Sequence, residues 1–421
     1  MRPRSIRGCH LSLPSTARTN GVSLGRISAD GTSKADRNTI SGYPLGSSAR
    51  AGAPFMQELV LSSYLASRTD RILAVDNFTW HEDGWMDYVD HGHPGHYRRP
   101  AQIPLSAVIR AATPATSDPQ MVRAIGQDLW DDLCPHTRLV HGAETNSLPG
   151  RHPQALMSLT ESANAVNSSG DRCMELSELP ATSDGPGSML LDIWPTLSSS
   201  AILTHFGWSP LVELVFDMNR ELIAPVPELE PYLSSLPFTN SSDRYHPIPG
   251  LLALHVPRGI YKDYCRSVVA GSQAFTGFNA FPSYPHSVDP TALTRLNDAE
   301  RAAAYHRRCY PIIQEIVKRV EGIRKTEAGK DLHVVYVMTN AQTPWALELK
   351  TALRRMGGWE SVRSTRDLVL NREQRYVKQA VDMLVAQRAQ VFVGNGFSTT
   401  SGLVGMLRMA NGFPVESTRH W

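Results

Sequence analysis

The feature that most constrains the fold is a set of three buried-strand patterns in the second half of the chain. They lie at residues 251–256, 333–338 and 390–393, and the first shows no polar alternation. A strand that is apolar on both faces needs cover on both faces, which is typical of a parallel sheet. This part of the chain therefore predicts a sheet with helices packed on both sides.

Helical patterns alternate with these strands. The first begins at Asn297, where Glu300 three residues later forms a capping-box variant, and it breaks at Pro311 on its way to about residue 326. Further helices are predicted at residues 344–355, 372–388 and 402–410. Alternating strands and helices indicate a doubly wound α/β fold with a parallel sheet.

The first half of the chain is less regular. Helices are predicted at residues 55–65 and 211–220, and a strand at 71–75. Residues 137–188 contain much Pro, Ser, Asn and Gly with little periodicity, which is typical of a long loop insertion on the surface. Residues 225–249 have the composition of a connection between two halves.

These patterns divide the chain into three segments. Residues 1–52 are predicted to be disordered, because they are rich in Arg, Ser, Thr and Gly and show no apolar period. The same composition is typical of organellar transit peptides, and no secretory signal or anchor is visible. Residues 53–245 and 246–421 are predicted to form two separate α/β domains.

Charge and cysteine content limit the possible function classes. Lys and Arg total 42 and Asp and Glu total 40, so the chain has no strong field to attract nucleic acid or an anionic membrane. No apolar run approaches the roughly eighteen residues of a membrane-spanning helix. The five cysteines are not spaced as zinc ligands, so a structural metal is not expected.

Three triplets match the acceptor pattern for N-linked glycosylation, and they begin at Asn77, Asn167 and Asn240. Such triplets also arise by chance, and they matter only if the chain enters the secretory pathway. Sequence does not fix disulfide connectivity, but bridges become possible in that pathway. The candidate pairs are Cys134 with Cys173 and Cys265 with Cys309.

The segment VFVGNGFSTTS at residues 391–401 combines a strand, a glycine turn and a helix start. Backbone N–H groups at a helix N-terminus favour an anion, so this segment is a candidate phosphate-binding site. Ser398, Thr399 and Thr400 add hydroxyl donors. The alternative is that these hydroxyl residues only cap the helix.

Polar residues also follow the other two strands, at the ends where parallel sheets bind ligands. Arg258 offers a planar cation for two phosphate oxygens, although an ion pair on a surface loop explains it equally well. Asn340 would contact a sugar or a base edge, or simply form a turn. Asp382, on the helix before the last strand, would accept a hydrogen bond from a purine unless it is merely exposed.

These residues carry a resemblance to the fungal members of the GDP-fucose protein O-fucosyltransferase-like family. The family pattern has His-x-Arg-Arg-Gly-Asp at one strand end, Met-Thr-Asn at the next, and Phe-x-Gly-Asn-Gly-x-Ser at a helix start. Matching segments here are HVPRGI at 255–260, YVMTN at 336–340 and VFVGNGFSTT at 391–400. Segments VDNFTW at 75–80 and LTHFGWSP at 203–210 extend the resemblance to about residues 55–421.

The resemblance implies a GT-B-like α/β fold, with two facing Rossmann-like domains whose sheets are parallel. The N-terminal domain would bind the acceptor and the C-terminal domain the donor. It further implies metal-independent, inverting transfer of fucose from GDP-fucose to a protein or glycan hydroxyl, without a cofactor, in the secretory pathway (ER or Golgi). The residues carried over to the donor pocket are His255, Arg258, Asn340, Asp382, Ser398, Thr399 and Thr400, with Arg258 stabilising the leaving group.

Departures from the family pattern favour an alternative function. Pro257 stands where the family has arginine, and Ile260 stands where it has aspartate, so one expected cation is missing. The glycine-rich loop before the first helix keeps Gln57 but neither asparagine of the family's Gly-Gly-x-Asn-Asn-Gln. The alternative is a catalytically impaired pseudoglycosyltransferase that binds nucleotide or acts as a scaffold. Another nucleotide-sugar donor is a third possibility.

No general base is assigned from the sequence. The available side chains are Glu58, Asp76, His205 and Asp217.

Overall fold

A computed structural model describes residues 40–42, 53–79, 102–110, 123–140, 159–176, 190, 192–224, 231–285, 293 and 295–421. These residues belong to one compact unit, Asn38–Trp421. The strands are β1 Ile40–Gly42, β2 Ile72–Val75, β3 Phe78–Thr79, β4 Gln102–Ile103, β5 Ala124–Gly126, β6 Arg138–Val140, β7 Cys173–Leu176, β8 Ile248–His255, β9 Val334–Met338, β10 Ser361–Ser364, β11 Ala389–Gly394 and β12 Thr418–His420.

The α-helices alternate with these strands over most of the described residues. They are α1 Ala53–Arg68, α2 Gln127–Leu133, α3 Leu159–Ser168, α4 Trp194–Ser198, α5 Ala201–Thr204, α6 Pro210–Met218, α7 Arg220–Ile223, α8 Ser241–Arg244, α9 Tyr261–Ala270, α10 Asp298–Cys309, α11 Ile313–Arg324, α12 Thr343–Arg355, α13 Lys378–Arg388 and α14 Thr399–Ala410. Short 3-10 turns, among them Gly277–Ala280, Thr365–Asp367 and Gln374–Val377, join some of them.

The second half of the chain forms a five-stranded parallel sheet in the order β10-β9-β8-β11-β12. The chain runs outward from β8 through β9 to β10, and then returns to add β11 and β12 on the other side of β8. This is the strand order of a Rossmann-like sheet. All strands are parallel, and the topological switch point, where the order of strand addition changes side, lies between β8 and β11. The sequence-based prediction of a parallel, doubly wound sheet is confirmed.

Both faces of this sheet are buried, as the apolar strand pattern predicts. Leu252 and Leu254 of β8 belong to one apolar cluster, together with the inner faces of α11 and α12. Their neighbours Leu251 and Ala253 belong to a second cluster, together with α13 and α14. Successive side chains of a strand point to opposite faces, so each face of β8 receives its own layer of helices. A fully buried leucine contributes about 1.5–3 kcal/mol in such a layer.

The helices predicted in the second half are present, with small shifts at their ends. The capping box of Asn297 and Glu300 opens α10, and the chain breaks around Pro311 before α11 begins. Two strands and one helix were not predicted, namely β10, β12 and α9. β10 and β12 are the short edge strands of the sheet, and their SVRS and TRH sequences lack the apolar run that marks the central strands.

A second parallel sheet, in the order β5-β2-β1-β7-β6, lies in the first half of the chain. The predicted helix at 55–65 and strand at 71–75 correspond to α1 and β2. β3 and β4 form a separate antiparallel pair.

Two predictions for the first half are wrong in part. The expected loop insertion at 137–188 contains β6, α3 and β7, and β7 pairs directly with β1 inside the sheet. The sequence of this strand–helix–strand unit is mostly polar and gave no clear period; among the described side chains of α3, Ser162 and Val166 are buried. Residues 1–52 were expected to be disordered, yet Ile40–Gly42 form the central strand β1. The remainder of 1–52 lies outside the described residues.

Candidate nucleotide-binding site

The candidate site is the crevice at the carboxyl ends of β8 and β11. These strands are adjacent and parallel, with Leu254 opposite Val393. The chain leaves β8 toward one side of the sheet and leaves β11 toward the other, so the two connections diverge and open a crevice between them. In open α/β sheets this switch point is where ligands bind. His255 ends β8, and the turn at Gly394 to Ser398 follows β11.

The turn after β11 has almost no room for side chains. A Cβ added to Gly396 would lie 2.3 Å from the ring of Phe275, and one added to Gly402 would lie 2.7 Å from Gln57 Nε2. Asn395, directly before Gly396, is fully buried, and its side-chain Nδ2 donates to the Cys309 carbonyl at 2.7 Å. The glycines are therefore required by close packing, which fixes the path of the chain into α14.

A short hydrogen-bond chain joins the two strand ends. The Asn395 backbone N–H donates to Ser401 Oγ at 2.8 Å, and Ser401 Oγ lies 2.8 Å from His255 Nδ1. The Ser401 hydroxyl donates to Nδ1 when the imidazole carries its hydrogen on Nε2, and it accepts from Nδ1 in the other tautomer. In the first tautomer Nε2 is a hydrogen-bond donor. No acceptor for that Nε2–H lies among the described residues, so it is available to a ligand in the crevice.

Burial keeps His255 neutral. It lowers the pKa of the imidazole from 6.5 to about 4, so the ring carries no charge at neutral pH. The backbone of His255 is held as well, because Trp421 Nε1 donates to its carbonyl at 2.8 Å. His255 is therefore a fixed, neutral imidazole at the switch point between β8 and β11.

The N-terminus of α14 is positioned by two buried amides. Asn279 Nδ2 donates to the Ser398 carbonyl at 2.9 Å, and Gln57 Nε2 donates to the Thr399 carbonyl at 2.6 Å. The first intrahelical bond runs from the Gly402 N–H to the Ser398 carbonyl. The backbone N–H groups of residues 399–401 have no acceptor among the described residues. Such groups, with the helix dipole behind them, form an anion-binding site.

The three predicted hydroxyl residues lie at this helix start. Ser398 is the N-cap, but its side chain makes no capping bond, so simple capping does not explain it. Ser398 and Thr400 are buried, and Thr399 is half-buried. Ser398, Thr399 and Thr400 thus lie beside His255, which contacts the same turn of α14 through Ser401.

Arg258 is held by a different set of contacts. Its guanidinium lies between the rings of Tyr310 and Trp345, with its carbon 4.2 and 4.1 Å from the two ring centres. It also donates to the carbonyls of Pro257 and Pro311. Burial lowers its pKa to about 10, so it remains a cation at neutral pH. A pocket of about 190 Å³ beside it opens between the start of α11 and α12.

Asn340 fixes the backbone of Arg258. Its Oδ1 accepts from the Arg258 N–H at 2.6 Å, and its Nδ2 donates to the Arg258 carbonyl at 3.1 Å. The side chain is otherwise exposed. Gly259 follows with a φ of +65°, a conformation that favours glycine, so the chain turns sharply here. Asn340 therefore shapes the loop after β8.

Asp382 is buried inside the protein and already accepts several hydrogen bonds. Tyr336 donates to its Oδ1 at 2.6 Å, and Thr365 Oγ1 lies 3.0 and 2.8 Å from its two carboxylate oxygens. Burial raises its pKa to about 6. These contacts account for the position of Asp382 without a ligand.

The predicted residues thus form two groups. His255 and residues 398–400 lie together at the start of α14, and Arg258 lies with Asn340. No hydrogen bond among the described residues joins the groups, although Asn395 contacts the Cys309 carbonyl one residue before Tyr310. Asp382 belongs to neither group. Pro257 is buried and Ile260 is 86% exposed, so neither supplies a polar group to the crevice.

Sequence reasoning missed the residues that organise the site. Ser401 belongs to the segment at 391–401, but its pairing with His255 crosses 146 positions of sequence. Asn279 lies in a 3-10 turn without a recognisable motif. Gln57 was noted only as a remnant of a glycine-rich loop, and it proves to contact α14.

The candidate bases differ in their surroundings. Asp217 accepts from the backbone N–H groups of Leu233 and Ser234, so it has a structural role. Asp76 accepts from the Asn77 N–H, and His205 is exposed beside Thr204. Glu58 is half-buried on α1. Within the described ranges, no hydrogen bond joins Asp76, His205 or Asp217 to the His255 crevice.

Two disulfides are present, and they match the pairs left open by the sequence. Cys134 is bonded to Cys173, and Cys265 is bonded to Cys309. The second bridge joins α9 to α10 next to the Cys309 carbonyl that accepts from Asn395. It therefore supports the wall of the crevice. In the described part of the chain no cluster of three metal-ligating side chains occurs, and none of the described helices is long and apolar enough to cross a membrane.

The strand order, the parallel sheets and the position of the crevice define a GT-B-like α/β fold with Rossmann-like sheets. Among solved structures, the chain is similar to POFUT1, a GDP-fucose O-fucosyltransferase, in complex with GDP. The TM-score is 0.50 at 14% identity, covering 91% of this chain and 99% of that one. POFUT1 in complex with GDP-fucose matches with a TM-score of 0.48 at 15% identity, over 92% of this chain and 98% of that one. No family model and no curated protein matches the sequence.

Proposed function

We propose that this chain is a glycosyltransferase of the O-fucosyltransferase kind, which binds GDP-fucose in the crevice between β8 and β11. The observation that carries the proposal is the pairing of His255 with Ser401 at the switch point. In the tautomer that we propose, with Ser401 donating to Nδ1, His255 has a neutral Nε2–H donor beside the free N–H groups of α14. A diphosphate needs such converging donors. The fold shared with GDP-bound POFUT1 is consistent with this ligand class.

The proposed reaction is a single displacement at the anomeric carbon of fucose. The oxygen of an acceptor hydroxyl forms the new bond, the bond from that carbon to the β-phosphate oxygen breaks, and the configuration inverts. The leaving GDP gains negative charge, which His255 Nε2–H and the α14 N–H groups would stabilise. The acceptor hydroxyl gives its proton to a base that has not been identified. We propose a protein or glycan hydroxyl as acceptor and no metal, as the sequence resemblance implies.

The donor domain would be residues 246–421, and residues 53–245 would bind the acceptor. We also propose that the chain works in the secretory pathway. Two disulfides support this placement, because such bonds persist in oxidising compartments and are rare in the cytosol.

The test is to measure GDP-fucose binding by calorimetry and fucose release in the same preparation. The transferase proposal predicts binding of GDP and GDP-fucose, little binding of UDP, and turnover of the donor. Competition by UDP or GDP-mannose as strong as that by GDP would instead indicate a different donor. Absence of any nucleotide binding by the folded protein would refute the proposed site.

A second candidate function, a pseudoglycosyltransferase that binds nucleotide without transfer, is favoured by one observation. The cation expected to stabilise the leaving group is engaged elsewhere, since Arg258 lies between Tyr310 and Trp345 and donates to Pro311. Pro257 supplies no replacement. This candidate predicts GDP-fucose binding without fucose release, and the same pair of measurements separates the two functions.

A further inference from the structure

The three glycosylation triplets lie in different surroundings. Asn167 is in the last turn of α3, its side chain is exposed, and the helix ends one residue later at Ser168. The backbone around it is held in place, because Arg71 donates to the Val166 and Asp171 carbonyls at 3.3 and 3.2 Å. A large group on Asn167 would therefore extend into solvent from a fixed point without displacing a packed side chain.

Asn240 is unsuited to modification. It is the half-buried N-cap of α8, where its Oδ1 accepts from the Asp243 N–H at 2.8 Å and from Ser242 Oγ at 2.9 Å. Its Nδ2, the atom that would carry a sugar, donates to Asp243 Oδ2 at 2.7 Å. A glycan there would crowd this cap and break its hydrogen bonds.

Asn77 is exposed, but the next residue is buried. Phe78 is buried against Phe55, with ring centres 5.5 Å apart, and Thr79 pairs with Gln102 in the β3–β4 ladder. Asn77 also lies just after the carboxyl end of β2, the edge of a parallel sheet where ligands bind. A glycan at this position would occupy that edge.

The two disulfides fit the oxidising compartment of the proposed function, on which this inference rests, and in eukaryotic cells N-linked transfer occurs there. Exposure of Asn167 and formation of the disulfides are independent observations. Both are compatible with a glycan at this position.

We propose that Asn167 carries an N-linked glycan and that the Asn240 triplet is not used. The co-reactant is an oligosaccharide linked to a lipid diphosphate. A bond forms between Asn167 Nδ2 and the first sugar carbon, the bond from that carbon to the diphosphate oxygen breaks, and the lipid diphosphate leaves. Nδ2 loses one proton to a base of the transferring enzyme. The acceptor pattern requires the hydroxyl of Ser169 at the time of transfer, before the fold ties it to Asp171 at 2.7 Å.

The experiment uses the full chain purified from a eukaryotic secretory host. It is treated with a peptide N-glycanase, an amidase that releases N-linked glycans and converts the linked asparagine to aspartate. Peptide mass spectrometry should find this conversion at Asn167, and intact mass should fall on treatment. Asn167→Gln and Ser169→Ala should each lose one glycan, whereas Ser169→Thr, which keeps the pattern, should retain it.

The matched control is Asn240→Asp, which destroys the triplet but keeps a capping side chain. It should have the same glycan mass as the wild type. An untreated wild type that already has the mass of the bare chain would overturn the proposal. So would an Asn167→Gln variant with the full wild-type glycan mass. These results do not depend on transferase activity, so the proposal survives if the chain binds no nucleotide.

Discussion

Replacing His255 with alanine tests the proposed site most directly. The variant removes the Nε2–H donor and leaves the N-terminus of α14 in place, since Ser401 Oγ still accepts from the Asn395 N–H at 2.8 Å. Ser401 loses only its own acceptor, His255 Nδ1. We therefore expect a modest loss of stability, about 1 kcal/mol for one hydrogen bond.

The effect on the ligand should be larger. A hydrogen bond to a charged group contributes about 1.5–3 kcal/mol, so losing the bond from His255 to the diphosphate should weaken GDP-fucose binding roughly 10- to 150-fold. The wild-type affinity should also be flat between about pH 5 and 8. The pKa of His255 is lowered to about 4, so its donor does not titrate in this range. A cationic histidine would instead lose affinity as the pH rises through 6.5.

The assay is calorimetric titration with GDP-fucose over this pH range, at a temperature where circular dichroism shows each variant folded. His333→Ala is the matched control. His333 is also half-buried and lies 2.8 Å from a carbonyl, that of Asp331, but it precedes β9 at the amino edge of the sheet. Unchanged affinity in His255→Ala, or an equal loss in His333→Ala, would refute the assignment of the site to the carboxyl edge.

Three further predictions concern the residues around the crevice. Arg258→Ala should lower the free energy of unfolding by about 2–4 kcal/mol in urea titrations, because it removes the ring stacking and a charged hydrogen bond. The folded variant should keep its affinity for GDP-fucose within about threefold. A drop in affinity of about tenfold or more would show that this guanidinium contacts the diphosphate. Ser401→Ala should lower the free energy of unfolding by about 2–4 kcal/mol, because it leaves the buried Asn395 N–H unpaired. It should also weaken GDP-fucose binding, because His255 Nδ1 loses the hydroxyl partner that fixes the proposed tautomer. Full affinity in calorimetry would contradict the role of the tautomer. Asp382→Asn should change the pH dependence of stability in urea titrations. The pKa of Asp382 is raised from 3.8 to about 6, so its contribution to stability is present at low pH and is lost as the pH rises through 6. The pKa of His255 is lowered from 6.5 to about 4, so its contribution to stability is lost as the pH falls from 6.5 toward 4. The two opposing slopes should flatten the wild-type profile, and the variant should become steadily more stable from pH 4 to 6.5; an unaltered profile would show that the carboxyl does not titrate there.

The central strands could be predicted because their signal is local. β8 is apolar at consecutive positions, and the division of its side chains between two clusters shows why no polar alternation is allowed. The strand β7 gave no such signal, since CMEL has one apolar face only. Its place beside β1 depends on pairing with a distant strand, which periodicity does not report.

The secondary structure around the candidate site was predicted in outline for the same reason. A strand, a glycine turn and a helix start are all encoded in one segment, 391–401, and the expected anion-binding property follows from them. The residues that contact this segment cannot be read from it. Ser401 meets His255 only because β8 and β11 are neighbours in the sheet, and Asn279 reaches the Ser398 carbonyl from a turn 119 positions earlier. Tertiary packing decides which polar groups converge.

The orientation of the Arg258 side chain also could not be predicted from local sequence, and it has a chemical consequence. Local sequence places it after β8, but Tyr310 and Trp345, from two separate helical regions, hold its guanidinium. In the proposed site, the crevice contains neutral donors, His255 Nε2–H and the α14 N–H groups, and not this cation. Neutral donors suffice to bind a diphosphate, whereas the charge that develops on a leaving GDP is best stabilised by a cation. Affinity and rate should therefore depend on different residues: His255→Ala should change the dissociation constant for GDP-fucose, and Pro257→Arg, which restores the family's arginine, should change fucose release. If Pro257→Arg raises turnover while His255→Ala weakens binding, the chain is a transferase fold whose binding site is intact and whose leaving-group stabilisation is reduced.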